Sequence, residues 1–473
     1  MNLAGPYAEF LQAAQWFFLL YFIALNLGYL ALNLVSLVAI RDYAARRWSD
    51  ALRHAYGGLE LPVSILAPAY NEEATIATSV RSLLQLEYLE YEIVVINDGS
   101  KDATLATMIR EFDMVPFPEP VRLALPGKPI RGVYRSRLHR NLRLVDKENG
   151  GKADALNAGI NVARYPLFCA MDADSILQRD SLWRVVEPFL EDPRTIASGG
   201  TVRIANGCTV EGGFLTRVGL PSNPLALFQI VEYLRAFLFG RLGWSPFNAV
   251  LVISGAFGLF RRDAVVAAGG YSTETLGEDM ELVLRLHRLN REAGRPYRIV
   301  FVPEPICWTE APETLRVLKN QRVRWQRGLS ECLALNRSLL LSDRGGAPGW
   351  LAMPFMIAFE WLSPVIELAG FAFMVGGALL GLVSASAMWV FLLVAFGFGV
   401  LLSVSALLLE ELSFHVYPRT RHVATLAAAA VAENLGFRQL MAWYRLVGLW
   451  RWATGSQARW GKMTRTATWQ KKP

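Results

Sequence analysis

The chain has 473 residues, of which 53% are hydrophobic and 19% are charged, and its mean hydropathy is +0.27. Soluble globular domains carry about 25% charged residues, so this balance disfavours a wholly soluble protein and excludes a disordered chain, a collagen or a disulfide scaffold. The formal net charge of +7 is typical of chains that bind nucleic acid, a polyanion or a membrane, so the location of the charge decides among them.

The first apolar segment, residues 10–40, contains no charged side chain and exceeds the roughly 20 residues that a helix needs to cross a bilayer. Residues 1–9 hold no cation, which is atypical of a cleavable signal peptide. Four arginines follow the segment: Arg41, Arg46, Arg47 and Arg53. The positive-inside rule therefore predicts a membrane helix within residues 1–45 that has its N-terminus outside.

A second uncharged run, residues 368–409, is too long for one span. With its upstream extension it predicts two helices, residues 350–381 and 388–409, which form a transmembrane pair within residues 350–412. Glu360 and Glu367 lie in the first helix. Carboxylates at membrane depth usually face protein or water, so they indicate a lined cavity or, for Glu360, a position at the interface.

The C-terminal region, residues 420–473, is apolar at first and basic at its end. Its apolar part, residues 422–450, contains Glu433, Arg438 and Arg445, and residues 451–473 carry six cations and no acid. Crossing the membrane would place these cations outside, so we expect an interfacial amphipathic helix with a cytosolic basic tail. The positive charge thus reports membrane topology, and we expect no nucleic acid partner.

Four widely spaced cysteines form no zinc pattern and no disulfide framework: Cys169, Cys208, Cys307 and Cys332. The five histidines are also scattered, which disfavours a histidine-centred triad or metal site. This cysteine usage fits a reducing cytosol around the middle of the chain.

The middle of the chain, residues 55–345, is predicted to be a cytosolic α/β domain. Three short apolar runs suit buried parallel strands: VSILAP from Val63, EIVVIN from Glu92 and PLFCAMD from Pro166. They alternate with helix-like stretches at residues 72–86 and 151–163. This alternation predicts a doubly wound sheet, in which ligands bind beyond the carboxyl ends of the strands.

Acidic side chains follow two of these runs. Asp172 and Asp174 are two residues apart, so in an extended segment both point the same way, as carboxylates that share a divalent cation with substrate phosphates must. Asp98, in NDGS, could equally cap a turn. Lys152 follows two glycines but lacks the P-loop spacing, so it could only neutralise a nucleotide phosphate as a point charge.

Two later motifs also carry candidate chemistry. Residues 277–290, GEDMELVLRLHRLN, predict a helix whose first turn contains Glu278 and Asp279. Acids are favoured there by the helix dipole, and they could also supply a general base. Residues 321–328 read QRVRWQRG, where a tryptophan between arginines is either an interfacial anchor or part of a site.

Six motifs follow one another along the chain: PAYNEE, NDGS, NGGKADALNAG, DADS, GED and QRVRW. Taken together in this order, they resemble the membrane-embedded processive β-glycosyltransferases of glycosyltransferase family 2. Cellulose, chitin, hyaluronan and poly-N-acetylglucosamine synthases belong to this family. The resemblance covers about residues 63–340 and implies a GT-A fold, a Rossmann-like α/β domain. It also implies inverting, processive transfer from a UDP-sugar, UDP-GlcNAc or UDP-Glc, to a β-linked polysaccharide that crosses the plasma membrane.

The resemblance further implies a role for each matching residue. The nucleotide would be bound by Ala69, Tyr70 and Glu72 at the uracil, Asp98 at the nucleoside, Lys152 near the diphosphate, and Asp172. Asp174 would ligate Mg²⁺ or Mn²⁺, and Asp279, beside Glu278, would be the catalytic base. Gln321, Arg324 and Trp325 form the QxxRW element, in which Arg324 meets the diphosphate and Trp325 offers its ring to the terminal sugar of the growing chain.

By the same resemblance, residues 228–244 and the SGAFGLF stretch from Ser254 would lie on the acceptor side, although an interfacial helix and a buried strand explain them as well. Asn97 and Gly277 depart from the cellulose type, and NDGS is similar to poly-N-acetylglucosamine synthases. Two alternatives stay open: a non-processive transferase that acts on a lipid-linked acceptor, and a transport or scaffold protein whose sheet binds nucleotide. Three spans are few for a polymer channel, so membrane lipid and an accessory subunit or homo-oligomer are expected partners.

Overall fold

The computed structural model describes residues 4–47, 60–118, 123–173, 175–211 and 214–455. Within these ranges the strands are β1 (Val63–Ala69), β2 (Tyr91–Asp98), β3 (Met114–Pro116), β4 (Ile130–Ser136), β5 (Leu142–Lys147), β6 (Leu167–Met171), β7 (Ile176–Leu177), β8 (Thr195–Ile204), β9 (Thr209–Glu211), β10 (Phe214–Arg217), β11 (Phe257–Arg261) and β12 (Arg298–Thr309). All except β9 and β10 form one sheet, in the order β3-β4-β5-β2-β1-β6-β11-β8-β12-β7.

The helices, in the same ranges, are α1 (Ala4–Arg47), α2 (Ile76–Leu83), α3 (Thr104–Glu111), α4 (Lys152–Val162), α5 (Ser181–Glu191), α6 (Pro224–Glu232), α7 (Gly240–Leu242), α8 (Arg262–Ala267), α9 (Glu278–Glu292), α10 (Leu315–Leu335), α11 (Met353–Met356), α12 (Ser363–Leu379), α13 (Ala385–Ser413), α14 (Thr420–Ala432) and α15 (Phe437–Ala453). Short 3₁₀ turns span Ser245–Phe247 and Arg337–Leu339, and π-helical turns span Tyr233–Phe239, Pro348–Ala352 and Ile357–Trp361.

The three predicted apolar runs form β1, β2 and β6, which confirms the α/β class. Their side chains are buried on both faces, which explains why they read as continuous rather than alternating apolar runs. Strands β5, β2, β1 and β6 are parallel, and in this register Ala69 pairs with Asn97, which pairs with Asp146. The carboxyl ends of these strands are therefore level at one edge of the sheet.

The sheet is mixed rather than wholly parallel. Strand β4 runs antiparallel to β5, and β11 runs antiparallel to both β6 and β8. Strand β11 comes from the SGAFGLF stretch, so Phe257–Arg261 is a buried strand. Strand β8 contains Gly199 and Gly200, where an added Cβ would meet Ile253 and Ile306, so tertiary packing rather than strand propensity stabilises this part of the sheet.

Two helical segments, Glu9–Ala44 and Ala385–Ser413, are long and apolar enough to cross a membrane. The predicted single helix over residues 350–381 is instead two helical parts, Pro348–Trp361 and Ser363–Leu379, bent by 44° at Leu362. Pro364 explains the break, because proline has no N–H to donate and is tolerated only in the first turn of the helix that it begins.

The predicted single helix over residues 422–450 is also wrong, since α14 and α15 are separate. Gly436 lies between them with φ of 112°, a conformation that favours glycine. The connection packs against the middle of α13, where a Cβ added to Gly399 would lie 2.3 Å from Asn434 Oδ1. Residues 456–473, which hold most of the basic tail, are outside the described residues.

Candidate active site

Asp98 ends β2 and organises the loop that precedes α4. Its carboxylate is 3% exposed and accepts hydrogen bonds from Lys147 Nζ (2.6 Å), Gly150 N (3.0 Å) and Gly151 N (2.8 Å). Lys147 also contacts Asp154 Oδ1 at 2.6 Å, so a buried cation lies between two carboxylates. The structure thus places Asp98 underneath the NGGK loop, where its oxygens fix the backbone that presents Lys152.

The residues expected at the uracil lie where the loops after β1 and β2 meet. Ala69 is buried, whereas Tyr70 is 46% exposed. Asn71 has φ of 57° and its Oδ1 accepts a hydrogen bond from Lys101 N (2.8 Å), which joins the two loops. Glu72 accepts a hydrogen bond from Thr75 Oγ1 (2.7 Å). An exposed aromatic ring and a carboxylate therefore lie at the same sheet edge as Asp98.

Lys152 joins three of the predicted motifs. Its Nζ lies 2.6 Å from Asp172 Oδ1 and 3.5 Å from Glu278 Oε1, and it donates to the Gly255 carbonyl oxygen at 3.0 Å. Lys152 begins α4, Asp172 follows β6 and Glu278 begins α9. Residues that are 126 positions apart in sequence, Lys152 and Glu278, thus form one charged centre at the carboxyl edge of the sheet.

The charges in this centre depend on one another. Burial alone would lower the pKa of Lys152, but the carboxylates of Asp172 and Glu278 raise it above its ordinary value. Burial raises the pKa of Glu278, and the nearby cations Lys152 and Arg324 oppose this rise. The ammonium therefore stays charged, and an incoming phosphate would compete with the two carboxylates for it.

Asp279, the predicted base, is held by backbone donors. Its Oδ2 accepts from Gly255 N (2.8 Å) and its Oδ1 accepts from Met280 N (2.8 Å). The Gly255 peptide thus contacts both Asp279, through its N–H, and Lys152, through its carbonyl. The sequence did not single out Gly255 within the SGAFGLF stretch, because its role follows from the contacts of its backbone with Asp279 and Lys152.

The helix that begins with Glu278 packs directly on the helix that contains QxxRW. A Cβ added to Gly277 would lie 3.0 Å from Cys332 Sγ and 3.3 Å from the Gly328 carbonyl carbon, so a larger residue there would require the two helices to shift by a few tenths of an ångström. Glu331 of α10 also accepts a hydrogen bond from Leu276 N (2.8 Å). These contacts bring the GED and QRVRWQRG motifs together.

The three QxxRW side chains have different surroundings. Arg324 is close enough to Glu278 for its charge to lower the pKa of that carboxyl. Trp325 is half-buried, with Arg322 Cζ 4.3 Å above its ring and the Phe237 ring 5.7 Å away. Gln321 is 8% exposed, and no donor in the described part of the chain reaches its Oε1. One indole face is thus occupied by a guanidinium.

The predicted metal ligand Asp174 lies outside the described residues. The described ranges contain no cluster of three or more His, Cys, Asp or Glu side chains that could hold a metal ion. Mg²⁺, however, is usually bound through one or two carboxylates together with substrate phosphates and water. Asp172 fits that donor set, because its side chain is 34% exposed and only one of its oxygens lies at the 2.6 Å contact with Lys152.

Residues 61–328, more than half of the chain, match the model of the glycosyltransferase-like family 2, and the chain belongs to this family. The match confirms the resemblance inferred from the motifs and the α/β class of the domain. Similar curated proteins include the poly-β-1,6-N-acetyl-D-glucosamine synthases of Staphylococcus aureus strain COL, 34% identical over 274 residues, and of Staphylococcus epidermidis, 32% identical over 272 residues.

These alignments cover 57% of the chain and 55% of each relative, so the chain matches about half the length of these synthases. A solved mannosyltransferase from Pyrobaculum calidifontis, in complex with GDP-Man and Mn²⁺, superposes with a TM-score of 0.52 at 19% identity. That superposition covers 89% of this chain and 99% of the mannosyltransferase chain, and it shows a shared fold.

Proposed function

We propose that the protein is a plasma-membrane synthase that transfers sugar from a UDP-sugar to a growing β-linked polysaccharide on the cytosolic side. The observation that carries this proposal is the charged centre of Lys152, Asp172 and Glu278, which adjoins Asp279 and the QxxRW helix. The curated relatives are poly-β-1,6-N-acetyl-D-glucosamine synthases, so UDP-GlcNAc is favoured over UDP-Glc as the donor.

The nucleotide would bind along the carboxyl edge of the sheet. Tyr70 and Glu72 contact the uracil, and the loop fixed by Asp98 presents Lys152 to the diphosphate. Arg324, whose charge acts on Glu278, binds the same diphosphate. When bound at Asp172 and Asp174, Mg²⁺ or Mn²⁺ adds positive charge that stabilises the leaving diphosphate.

Asp279 is the proposed general base. The acceptor hydroxyl attacks the anomeric carbon while the bond from that carbon to the diphosphate oxygen breaks, and the hydroxyl proton passes to the Asp279 carboxylate. One in-line displacement inverts the anomeric centre and gives a β-linkage from an α-linked donor. Trp325 orients the terminal sugar of the acceptor, because an indole presents a large rigid surface at low entropic cost.

A chain of hydrogen-bonded polar groups links the QxxRW helix to the proposed membrane region. Gln326, next to Trp325, accepts a hydrogen bond from Arg445 Nε (3.0 Å), and Arg445 pairs with Glu360 Oε2 (2.8 Å). Tyr29 of α1 also donates to Glu360. The Glu360 carboxylate therefore faces protein, which favours the cavity over the interface among the two positions predicted for it.

A small cavity of about 20 Å³, enough for about one water molecule, lies among α1, α12, α13 and the α14–α15 connection. Its lining combines aromatic with polar side chains: Phe22, Phe371 and Phe396 with Asn26, Glu367, Asn434, Arg438 and Gln439. Asn26 lies at the middle of the Glu9–Ala44 segment, so this polar cavity would lie near the centre of the bilayer.

The test uses the full chain, reconstituted in vesicles with UDP-GlcNAc or UDP-Glc and Mg²⁺ or Mn²⁺. We expect UDP release together with a ladder of long, hydrolase-sensitive chains. A single discrete glycolipid would instead support the non-processive alternative, and nucleotide binding without UDP release would support the binding protein. Polymer recovered only on the side of UDP-sugar addition would contradict translocation by this chain alone.

Asp279→Asn should abolish transfer while the affinity for UDP is retained, because the variant keeps an acceptor for Gly255 N but loses the base. Asp263→Asn is the matched control. Asp263 also lies in the first turn of a helix and accepts from the next backbone N–H (2.7 Å), but it is exposed. Normal polymer from the Asp279 variant would contradict the assignment of the base.

A further inference from the structure

Arg241 lies in α7, where the segment that follows α6 packs against the membrane helix α1. Gly243 makes this approach possible, because a Cβ there would lie 2.8 Å from the Leu32 carbonyl oxygen. Gly240 lies beside Tyr29 of the same membrane helix. Arg241 is therefore fixed at the junction between the proposed membrane region and the glycosyltransferase domain, within the stretch of residues 228–244 that the sequence left open between the acceptor side and an interfacial helix.

The Arg241 guanidinium has unused hydrogen-bonding capacity. Its Nη1 is buried, and no acceptor within the described ranges reaches it. Guanidinium groups carry five N–H donors, and a buried donor without a partner is unfavourable. Burial lowers the pKa of Arg241 to about 10, although the negative charge of Asp279 opposes this decrease. Such a group is suited to bind a ligand that supplies oxygen acceptors.

The surroundings of Arg241 indicate which part of the reaction this ligand belongs to. Arg241 Cζ lies 4.4 Å from the centroid of the Phe237 ring, and that ring lies 5.7 Å from the ring of Trp325. Arg241 and Trp325 thus contact the same phenyl ring. Asp279 acts on Arg241 electrostatically, yet no carboxylate among the described residues lies within salt-bridge distance of this guanidinium.

The nucleotide has other candidate cations, Lys152 and Arg324. The two ionisable groups that act on Arg241 are Asp279 and Tyr233, and neither belongs to the proposed nucleotide site. The Asp279 carboxylate accepts hydrogen bonds and the Arg241 Nη1 donates them, so both groups suit a neutral ligand with a proton to give and a lone pair to offer. A sugar hydroxyl has both.

We propose that Arg241 binds the acceptor: its Nη1 donates a hydrogen bond to an oxygen of the terminal sugar of the growing chain and so aligns the attacking hydroxyl with Asp279. This assignment rests on the proposed function. It makes Arg241 a determinant of acceptor affinity rather than of donor affinity. A planar guanidinium with fixed donors suits this task better than a flexible ammonium.

The experiment measures initial rates of full-length Arg241→Gln and Arg241→Lys in detergent, with UDP-GlcNAc and short β-linked GlcNAc oligosaccharides as acceptors. Because a hydrogen bond from a charged donor contributes about 1.5–3 kcal/mol, Arg241→Gln should raise the KM for the acceptor about tenfold or more. The KM for UDP-GlcNAc should change less than about twofold, and Arg241→Lys should lie between the wild type and Arg241→Gln in acceptor KM.

Arg261→Gln is the matched control. Its guanidinium also lies over a phenyl ring, 5.8 Å from the Phe189 centroid, and donates to the Thr195 carbonyl oxygen, but it is on β11. We expect this variant to keep both KM values. An increase in acceptor KM that is the same in Arg241→Gln and Arg261→Gln would refute the proposal, and an increase confined to the donor KM would assign Arg241 to the diphosphate instead.

If Arg241→Gln is inactive or unfolded, Arg241→Lys decides: a raised acceptor KM at unchanged donor KM supports the proposal, and two unchanged values overturn it. Failure of the wild type to transfer sugar from any UDP-sugar would instead refute the proposed function itself. The two failures are therefore distinguishable, because the second is seen without any variant.

Discussion

One prediction concerns Gly255, whose backbone N–H donates to Asp279 and whose carbonyl oxygen accepts from Lys152. A Cβ added to Gly255 would lie 2.8 Å from Lys152 Nζ and 3.3 Å from Asp279 Oδ2. Gly255 is not among the glycines with positive φ, so the backbone does not exclude alanine there. Gly255→Ala therefore tests only the space between the proposed phosphate-binding cation and the proposed base.

The size of the effect follows from these distances. The Lys152 ammonium must retreat by about 0.6 Å, the difference between 2.8 Å and the 3.4 Å at which ordinary contact begins. This retreat would strain the ion pair with Asp172 and displace the cation from the diphosphate. Since a misplacement of about 1 Å can cost about a hundredfold in rate, we expect kcat to fall about ten- to a hundredfold.

The assay is UDP release by purified protein at varied UDP-sugar concentration. The matched control is Gly376→Ala, since Gly376 lies within α12 and a Cβ there meets nothing within 4 Å. We expect the control to retain wild-type kinetics and stability. A Gly255→Ala enzyme with wild-type kcat and KM would refute the reasoning, because Lys152 and Asp279 would then not need the geometry that Gly255 permits.

Further predictions concern the loop, the helix junction, the acceptor and the metal. Asp98→Asn removes one of the two carboxylates that pair with Lys147 and weakens the hydrogen bonds to Gly150 and Gly151, which should cost about 1.5–3 kcal/mol of stability, seen as a lower thermal midpoint; an unchanged midpoint would contradict the role of Asp98 in the loop. Gly277→Thr should reduce kcat, because the new side chain would meet Cys332 Sγ at 3.0 Å. Adding Cys332→Ala should restore part of the lost kcat, and no restoration would contradict the importance of this contact. Trp325→Ala should shorten the product chains on a sizing gel, whereas unchanged lengths would exclude an acceptor role. EDTA should stop UDP release and excess Mn²⁺ or Mg²⁺ should restore it; activity that persists in EDTA would contradict the metal assignment.

Part of the site could be predicted from the sequence because parallel strands end at the same edge of a sheet. The apolar runs before Ala69, Asp98 and Asp172 are buried on both faces, so they read clearly as strands, and the side chains that follow them must be neighbours. The convergence of Lys152 with Asp172 then follows from topology. These are the features that local pattern and strand direction determine together.

Other features depend on contacts that no local pattern records. Asp98 ends a strand, as expected, but its carboxylate is occupied by Lys147 and by two backbone donors, so it shapes the loop from below. Gly255 and Arg241 lie in two stretches that the family resemblance placed on the acceptor side, but the surroundings of each residue come from distant residues such as Asp279. An arginine within an apolar segment was the only local signal that singled out Arg241 within its stretch.

The charged side chains of the C-terminal segment have partners that the sequence pattern did not reveal. A crossing segment would place the cations of the basic tail outside, which favoured an interfacial helix for the segment that contains Glu433, Arg438 and Arg445. In the structure Arg445 pairs with Glu360, and Glu433 pairs with Arg235 and accepts a hydrogen bond from Ser403 at 2.6 Å.

Because these partners neutralise the charges, the helices can pack against the middle of α13. Arg445, which pairs with Glu360, also donates a hydrogen bond to Gln326, the residue beside Trp325. This chain of contacts joins the Ile357–Trp361 turn to the residue next to the proposed acceptor platform. The segment that the sequence assigned to the membrane surface thus connects the two halves of the proposed synthase.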